Sequence, residues 1–157
     1  MSNRRLMSVA VLAAALTASG VASAEMSKAV VNAFKGQLIV SNGELPEGKN
    51  DKDTIAKIKV AKLAAVTGEV HDDVAHWSFH YTAFLSKTGA SRLKLEFYNG
   101  KQLAADKTLD GVDPKSSILS GDISINEDEG LAKGKTYTIK LVNEKDQSVA
   151  SSSVTFK

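Results

Sequence analysis

The chain has no cysteine, two prolines and one tryptophan among its 157 residues. The lack of cysteine excludes disulfides, thiolate nucleophiles and thiolate metal sites, so the fold must be held by a packed core. No apolar run reaches the roughly 20 residues with which a helix spans a bilayer. We therefore expect a domain with no covalent staples and no stable membrane anchor.

The first 24 residues have the pattern of a secretory signal peptide. Arg4 and Arg5 give a positive start, residues 6–16 are largely apolar, and residues 22–24 read Ala-Ser-Ala, the small residues that a signal peptidase recognises. We predict that residues 1–24 are removed and that the mature protein is periplasmic or secreted.

Removal of the predicted signal peptide changes the charge balance. The whole chain has 20 basic and 18 acidic residues, and loss of Arg4 and Arg5 leaves 18 of each. A neutral domain has no electrostatic attraction for nucleic acid, so we expect no nucleic-acid partner. The remaining 133 residues suit one domain, with a helix or strand and a loop over 25–53 and a β-sandwich core over 54–157.

Alternating apolar and polar residues predict antiparallel strands from His76 onward. In the first of these, Trp77, Phe79 and Tyr81 share one face, and His76 and His80 share the other. The same alternation recurs over residues 92–97, 119–125 and 136–141. One apolar and one solvated face per strand is the pattern of antiparallel sheets that pack on one side.

Two segments precede these strands. Glu25–Lys35 predicts a short amphipathic helix that ends at Gly36. Thr54–Val66 has two interpretations. Ile58 and Val60 alternate with lysines as in a strand, whereas the alanines and lysines of the segment favour a helix. We adopt the strand interpretation.

The Asn-Gly pair after Tyr98 predicts a hairpin turn. A two-residue loop would pair Tyr98 with Lys101 and place Leu103 on the charged face. A three-residue loop would instead pair Leu95 with Leu103 on the apolar face. Because a slip of one residue moves every side chain to the opposite face, we predict the three-residue loop, with Gly100 in a left-handed conformation.

In the last predicted strand, Ser148–Phe156, regular alternation would place Val149 and Val154 on opposite faces of the sheet. A bulge at Ser151–Ser153 would return the apolar residues to one face, and the alternative is that Val149 faces solvent. The serine-rich edge of this strand is the best candidate surface for accepting a partner strand. We favour the other interpretation, an ordinary polar edge that avoids aggregation.

Residues 130–139, Gly-Leu-Ala-Lys-Gly-Lys-Thr-Tyr-Thr-Ile, resemble the approach to strand F in fibronectin type III and related immunoglobulin-like domains. In those domains a leucine and a glycine, here Leu131 and Gly134, precede a tyrosine that opens an apolar strand. The resemblance implies a tyrosine corner, in which the Tyr137 hydroxyl bonds an upstream backbone group, and it implies that Trp77 is a buried core residue.

The same resemblance implies an all-β fold, an immunoglobulin-like antiparallel sandwich of seven or eight strands after a short N-terminal helix or arm. It covers about a dozen residues and the strand pattern, so it concerns architecture and not function. The chain is also similar in general character to small envelope proteins of Gram-negative bacteria, a likeness that gives no residue a role.

One cluster has the composition of metal ligands, and its members are His71, Asp72, Asp73, His76 and His80. Residues four apart on a strand are separated by roughly 13 Å, so His76 and His80 cannot share an ion. His71 and Asp73 would have to fold back onto His76 to form a site. We predict exposed strand polarity here, with no bound metal and no cofactor.

No pattern in the chain indicates catalysis. A Gly-x-Ser-x-Gly elbow, a phosphate-binding glycine loop and a dinucleotide fingerprint are all missing from the sequence. We therefore predict a non-enzymatic binding or interaction module of the bacterial envelope, whose partner is another envelope protein. The alternative is a small metal-dependent hydrolase or metal-binding protein that uses the region His71–His80.

Overall fold

The computed structural model describes residues 25–157, so the predicted signal peptide lies outside the described residues. Two helices and nine strands occur in this range, together with a 3-10 turn at Glu127–Glu129. The helices are α1 (Lys28–Phe34) and α2 (Asp51–Ala61). The strands are β1 (Leu38–Ser41), β2 (Ala65–Val66), β3 (Glu69–His71), β4 (Val74–Phe84), β5 (Leu93–Asn99), β6 (Gln102–Leu109), β7 (Ile118–Asn126), β8 (Lys135–Val142) and β9 (Ser148–Phe156). The prediction of an all-β chain that begins with a short helix is confirmed.

The strands form two sheets whose apolar faces share one core. In the first sheet, β4 has β7 along one edge, and β1 and β3 one after the other along its opposite edge. The second sheet has the order β2-β9-β8-β5-β6. All these pairs are antiparallel except β2 with β9. The strand count exceeds the predicted seven or eight because β2 and β3 are very short.

An aromatic cluster fills the centre between the sheets. The ring of Phe156 meets four others edge-on, at centroid distances of 5.6 Å to Trp77, 5.9 Å to Phe79, 6.1 Å to Phe97 and 5.8 Å to Tyr137. Such edge-to-face contacts add stability beyond the area that they bury. The last strand is therefore fixed to both sheets through one side chain.

Two polar groups in this core have backbone partners. The indole nitrogen of Trp77 donates to the backbone oxygen of Lys157 at 3.0 Å, and the Tyr137 hydroxyl accepts from the backbone N–H of Ala132 at 2.9 Å. Gly134, between Ala132 and Tyr137, has a φ of +79°. The second bond has the form of a tyrosine corner, because the hydroxyl bonds the backbone five residues upstream.

A second, smaller core lies on the outer face of the first sheet. The two helices pack there, and the buried residues are Val30, Val31, Phe34, Ile39, Ile58, Phe84 and Ile118. As a result, His80, Thr82 and Phe84 are buried, although they lie on the face of β4 that was predicted to be solvated. That prediction is wrong for the second half of β4 because the N-terminal segment covers it.

The strand interpretation of Thr54–Val66 is wrong for most of its length. The segment up to Ala61 belongs to α2, and only Ala65–Val66 is a strand. The Asn50 side chain caps the helix by accepting from the Asp53 N–H at 2.9 Å, which stabilises the first turn. The helix also crosses the boundary at residue 54 that separated the two predicted parts of the domain. Helix propensity and the cap outweigh the short alternation of apolar residues and lysines.

The hairpin between β5 and β6 has neither predicted register. Asn99 pairs with Gln102 across a two-residue loop, and Gly100 in that loop is left-handed, with a φ of +63°. Tyr98 pairs with Leu103, and the next pair is Phe97 with Ala105, so one extra residue forms a bulge in β6. The bulge restores the apolar face after the turn and leaves Leu103 outside. The three-residue loop is therefore wrong, whereas the left-handed glycine is confirmed.

The parity change in β9 is also resolved by a bulge, but at a different place. Leu141 pairs with Ala150 and Val142 with Ser148, so Val149 is the extra residue and Ser151–Ser153 pair regularly. The predicted bulge position is therefore wrong. The serine-rich strand is not a free edge either.

Backbone partners occupy the side of β9 away from β8. Its Ser151 N–H donates to the Gly36 oxygen, and its Thr155 N–H donates to the Ala64 oxygen. These bonds use groups that a partner strand would need, so β9 is a poor place for strand addition.

Candidate functional site

Six polar side chains lie together on the outer face of the first sheet, beyond the part that the helices cover. We call this surface the polar sheet face, and its residues are Glu69, His71, His76, Ser78, Asp122 and Ser124. All are exposed except His76, which is partly buried. Shallow grooves follow this surface on both sides of Ser78.

A tight turn positions the histidines. Asp72 and Asp73 have φ values of 51° and 63°, and they form a two-residue loop between β3 and β4. Two positive φ values define the turn type that matches the twist of a hairpin, and aspartate tolerates this conformation. The resulting register places Glu69 directly opposite His76, and His71 near the turn.

The three predicted metal candidates are only partly brought together. The His71 and His76 rings lie 5.6 Å apart between centroids, and the Glu69 carboxylate lies 3.2 Å from Nε2 of His71. Asp73 lies in the turn itself. Within residues 25–157, no three His, Asp or Glu side chains are placed so as to hold a metal ion jointly.

The edge of β4 is open beside Ser78. β1 pairs with β4 only from His80 onward, and β3 pairs with it only up to His76. The N–H and C=O of Phe84 both bond to the β1 side, and backbone groups alternate in direction along a strand. Ser78, six residues before Phe84, therefore directs its N–H and C=O into the gap between β1 and β3. This gap borders the polar sheet face.

A row of serine, histidine and aspartate crosses the first sheet. Ser41, His80 and Asp122 are direct cross-strand neighbours, and Nδ1 of His80 lies 2.8 Å from the Asp122 carboxylate. The composition resembles a hydrolase triad, but Ser41 is only 2% exposed. Its hydroxyl donates to the Gly43 oxygen at 2.7 Å, away from the histidine. The row can stabilise the sheet, but it does not present a nucleophile to solvent.

Carboxylates surround the end of the sheet that carries the histidines. Glu127 accepts from the backbone N–H of Ala75 at 2.9 Å. The hydrogen bond from Lys107 is the main cause that lowers the pKa of Glu129, and the nearby His76 lowers that pKa further. Glu129 is also part of a capping box with Asn126, which fixes the 3-10 turn. Glu127 and Glu129 are therefore both held in place by defined partners at this end of the sheet.

Tyr81 lies on the inner face behind Asp122, and burial, followed by the Asp122 charge, raises the pKa of Tyr81 to about 12. Since its unfolded pKa is near 10, the folded state holds this proton more tightly. We expect the free energy of unfolding to fall by about 2 to 3 kcal/mol as pH rises from 10 to 12. Denaturant unfolding of the wild type and Tyr81→Phe over this range checks the effect. Equal pH slopes for the two proteins would contradict it.

The sequence did not identify Glu69, Asp122 or Ser124 as part of a site. Each comes into place through cross-strand register, Glu69 opposite His76, Asp122 opposite His80 and Ser124 opposite Ser78. Glu69 lies two residues before His71, so the period of a strand could have placed these two side chains on one face, whereas Asp122 and Ser124 needed a predicted pairing of β4 with β7.

No known protein family matches the chain, and no curated protein matches it either. No helix in residues 25–157 is long and apolar enough to cross a membrane.

Proposed function

We propose that this protein is an exported, non-enzymatic binding module of the bacterial envelope, and that it contacts another envelope protein through the polar sheet face. The observation that carries the proposal is the open edge of β4. Ser78 directs its backbone groups into a gap beside an uncovered polar surface, where a partner can add hydrogen bonds.

The compartment is proposed from the chemistry of the sequence. Residues 1–24 have the signal-peptide pattern, and the domain has a large aromatic core although it has no cysteine. A core of this size needs no disulfide, so the domain suits either the periplasm or the exterior. Free diffusion in that compartment is consistent with the absence of a cysteine that could carry a lipid.

The finer architecture that we propose is an immunoglobulin-like sandwich. Its support is the bond between Ala132 and Tyr137 at the start of β8, and the fully buried Trp77 on β4. Immunoglobulin-like sandwiches serve many unrelated functions, so this likeness supports a scaffold that presents a surface and names no ligand.

A small metal-dependent hydrolase in the region His71–His80 is the alternative. A catalytic zinc site uses three protein ligands and keeps one open position. The described residues do not place three such ligands together, and Ser41 of the triad-like row is buried. We therefore favour a binding module over a hydrolase.

Two arginine substitutions of exposed serines test the proposed surface. Ser124→Arg adds a bulky charge to the polar sheet face, whereas Ser153→Arg adds the same charge to the outer face of the second sheet. We expect quantitative pulldown from envelope extracts to recover a specific partner with the wild type and Ser153→Arg. Recovery with Ser124→Arg should fall at least about tenfold. Binding of the partner would bury the new arginine side chain and its charge, with no group in the interface to pair with them. Equal recovery with both variants would refute the proposed surface.

A further inference from the structure

The hairpin of β3 and β4 carries two imidazoles on one face, next to a carboxylate. Ring centroids of His71 and His76 are 5.6 Å apart, with an interplanar angle of 61°. A zinc ion about 2.0–2.1 Å from one nitrogen of each ring would separate the centroids by about 5 to 5.5 Å at a tetrahedral angle. The two rings are therefore close to the separation that a shared metal ion requires, and a small approach would reach it.

The orientation of the rings is adjustable. The His71 side chain is 64% exposed and the Glu69 side chain beside it is 82% exposed, so the ring and the carboxylate can reorient together. Rotation about the terminal torsion of histidine is broad and inexpensive. A turn of this ring can direct a nitrogen lone pair towards His76 without moving the backbone.

Glu69 supplies the support that a metal-bound histidine commonly has. Its carboxylate lies 3.2 Å from Nε2 of His71, which leaves Nδ1 of that ring for an ion. A carboxylate in this position fixes the tautomer and raises the basicity of the ligand. The acidic end of the sheet, which includes Asp72, Glu127 and Asp128, adds a field that attracts cations.

From this juxtaposition, we infer that His71 and His76 bind a first-row transition-metal ion, with Glu69 as a positioning residue. Imidazole nitrogen favours zinc, copper and nickel over magnesium and calcium, which prefer oxygen. The described residues place no third ligand here, so water completes the coordination. The site lies on the polar sheet face but does not depend on the partner proposed above.

Zinc titration of the metal-free mature protein, followed by NMR of the histidine rings, tests the inference. The chain has three histidines, and His80, which is buried and paired with Asp122, is an internal control. We expect zinc to shift the signals of His71 and His76, to leave those of His80 in place, and to be reversed by a chelator. His71→Ala and His76→Ala should each weaken binding at least about tenfold, and Glu69→Gln by about tenfold, with an altered tautomer signature at His71.

The opposite results would overturn the metal site. One such result is an equal change in the NMR signals of all three histidines, and another is no change at millimolar zinc. A third is unchanged zinc affinity in a variant that carries both His71→Ala and His76→Ala. The two substituted histidines lie outside both cores, so retained dispersion of the backbone spectrum will show that the variants are folded. A protein that binds no metal but still captures a partner through Ser124 would refute this inference alone.

Discussion

Replacement of Trp77 by alanine should destabilise the domain by about 3 to 5 kcal/mol. Trp77 is fully buried and is the only tryptophan in the chain. It packs edge-on against Phe156 at 5.6 Å, and its indole nitrogen bonds the Lys157 oxygen. The substitution therefore removes an aromatic contact, a hydrogen bond and a large volume from the interface between the sheets.

Two milder variants separate these contributions. Trp77→Phe keeps an aromatic ring, and the Lys157 oxygen still accepts from the Gly68 N–H, so we expect a smaller loss of about 1 to 3 kcal/mol. Val60→Ala changes a helix residue that is 86% exposed and should alter stability by less than about 0.5 kcal/mol. Urea unfolding monitored by circular dichroism measures all three variants. A loss below about 1 kcal/mol for Trp77→Ala would contradict a core centred on this residue.

Gly130→Ala should cost more than about 3 kcal/mol, although it adds a single methyl group. Gly130 ends the 3-10 turn with a φ of +118°, a conformation that alanine rarely adopts. A Cβ atom at this position would lie 2.0 Å from the backbone oxygen of Ala104, in the bulge of β6. Backbone atoms cannot rotate away, so either the turn or the bulge must move.

Two other glycines separate backbone strain from the steric clash. Gly134 has a φ of +79°, but the space around an added methyl group is open. Gly134→Ala should therefore lower the free energy of unfolding only by the about 1 to 2 kcal/mol that a left-handed backbone conformation costs. Gly43→Ala has neither a positive φ nor a neighbour within 4 Å and should be close to neutral. Thermal unfolding of the three variants measures the series. If Gly130→Ala were no worse than Gly134→Ala, the close approach to Ala104 would be wrong.

The fold class was predictable because the β4 pattern is strong. Trp77, Phe79 and Tyr81 alternate with polar residues over a long segment, and a period of two directly reports one buried face. The tyrosine corner was predictable because Gly134 and Tyr137 follow a local motif. Such signals lie within a few residues of one another, so they do not require knowledge of the tertiary structure.

The errors arose where distant parts of the chain determine local structure. The register of the β5–β6 hairpin was predicted from apolar matching, which paired Leu95 with Leu103. In the structure Leu95 lies opposite Lys107, whose ammonium group pairs with Glu129, far along the chain. The second half of β4 is covered by two helices. α1 packs there through Val30, Val31 and Phe34, and α2 through Ile58, a residue that looked like part of a strand. Tertiary contacts outweighed the local pattern in both cases.

For the same reason, only part of the candidate site could be predicted from the sequence. His71 and His76 are close in sequence and could be named, but Asp122 and Ser124 join them only through the pairing of β4 with β7. The open edge at Ser78 depends on where β1 and β3 stop pairing, which no local pattern reports. A binding surface whose residues come together through strand pairing is harder to predict from sequence than a motif whose residues are neighbours in the chain.

Position-specific photocrosslinking in envelope extracts tests most directly whether the polar sheet face contacts a partner. A crosslinking side chain at Ser78 or Ser124 lies on that face, and one at Ser153 lies on the exposed face of the second sheet as a matched control. We predict the same adduct from Ser78 and Ser124 and none from Ser153. Adducts of equal yield from all three positions, or from Ser153 alone, would contradict the account.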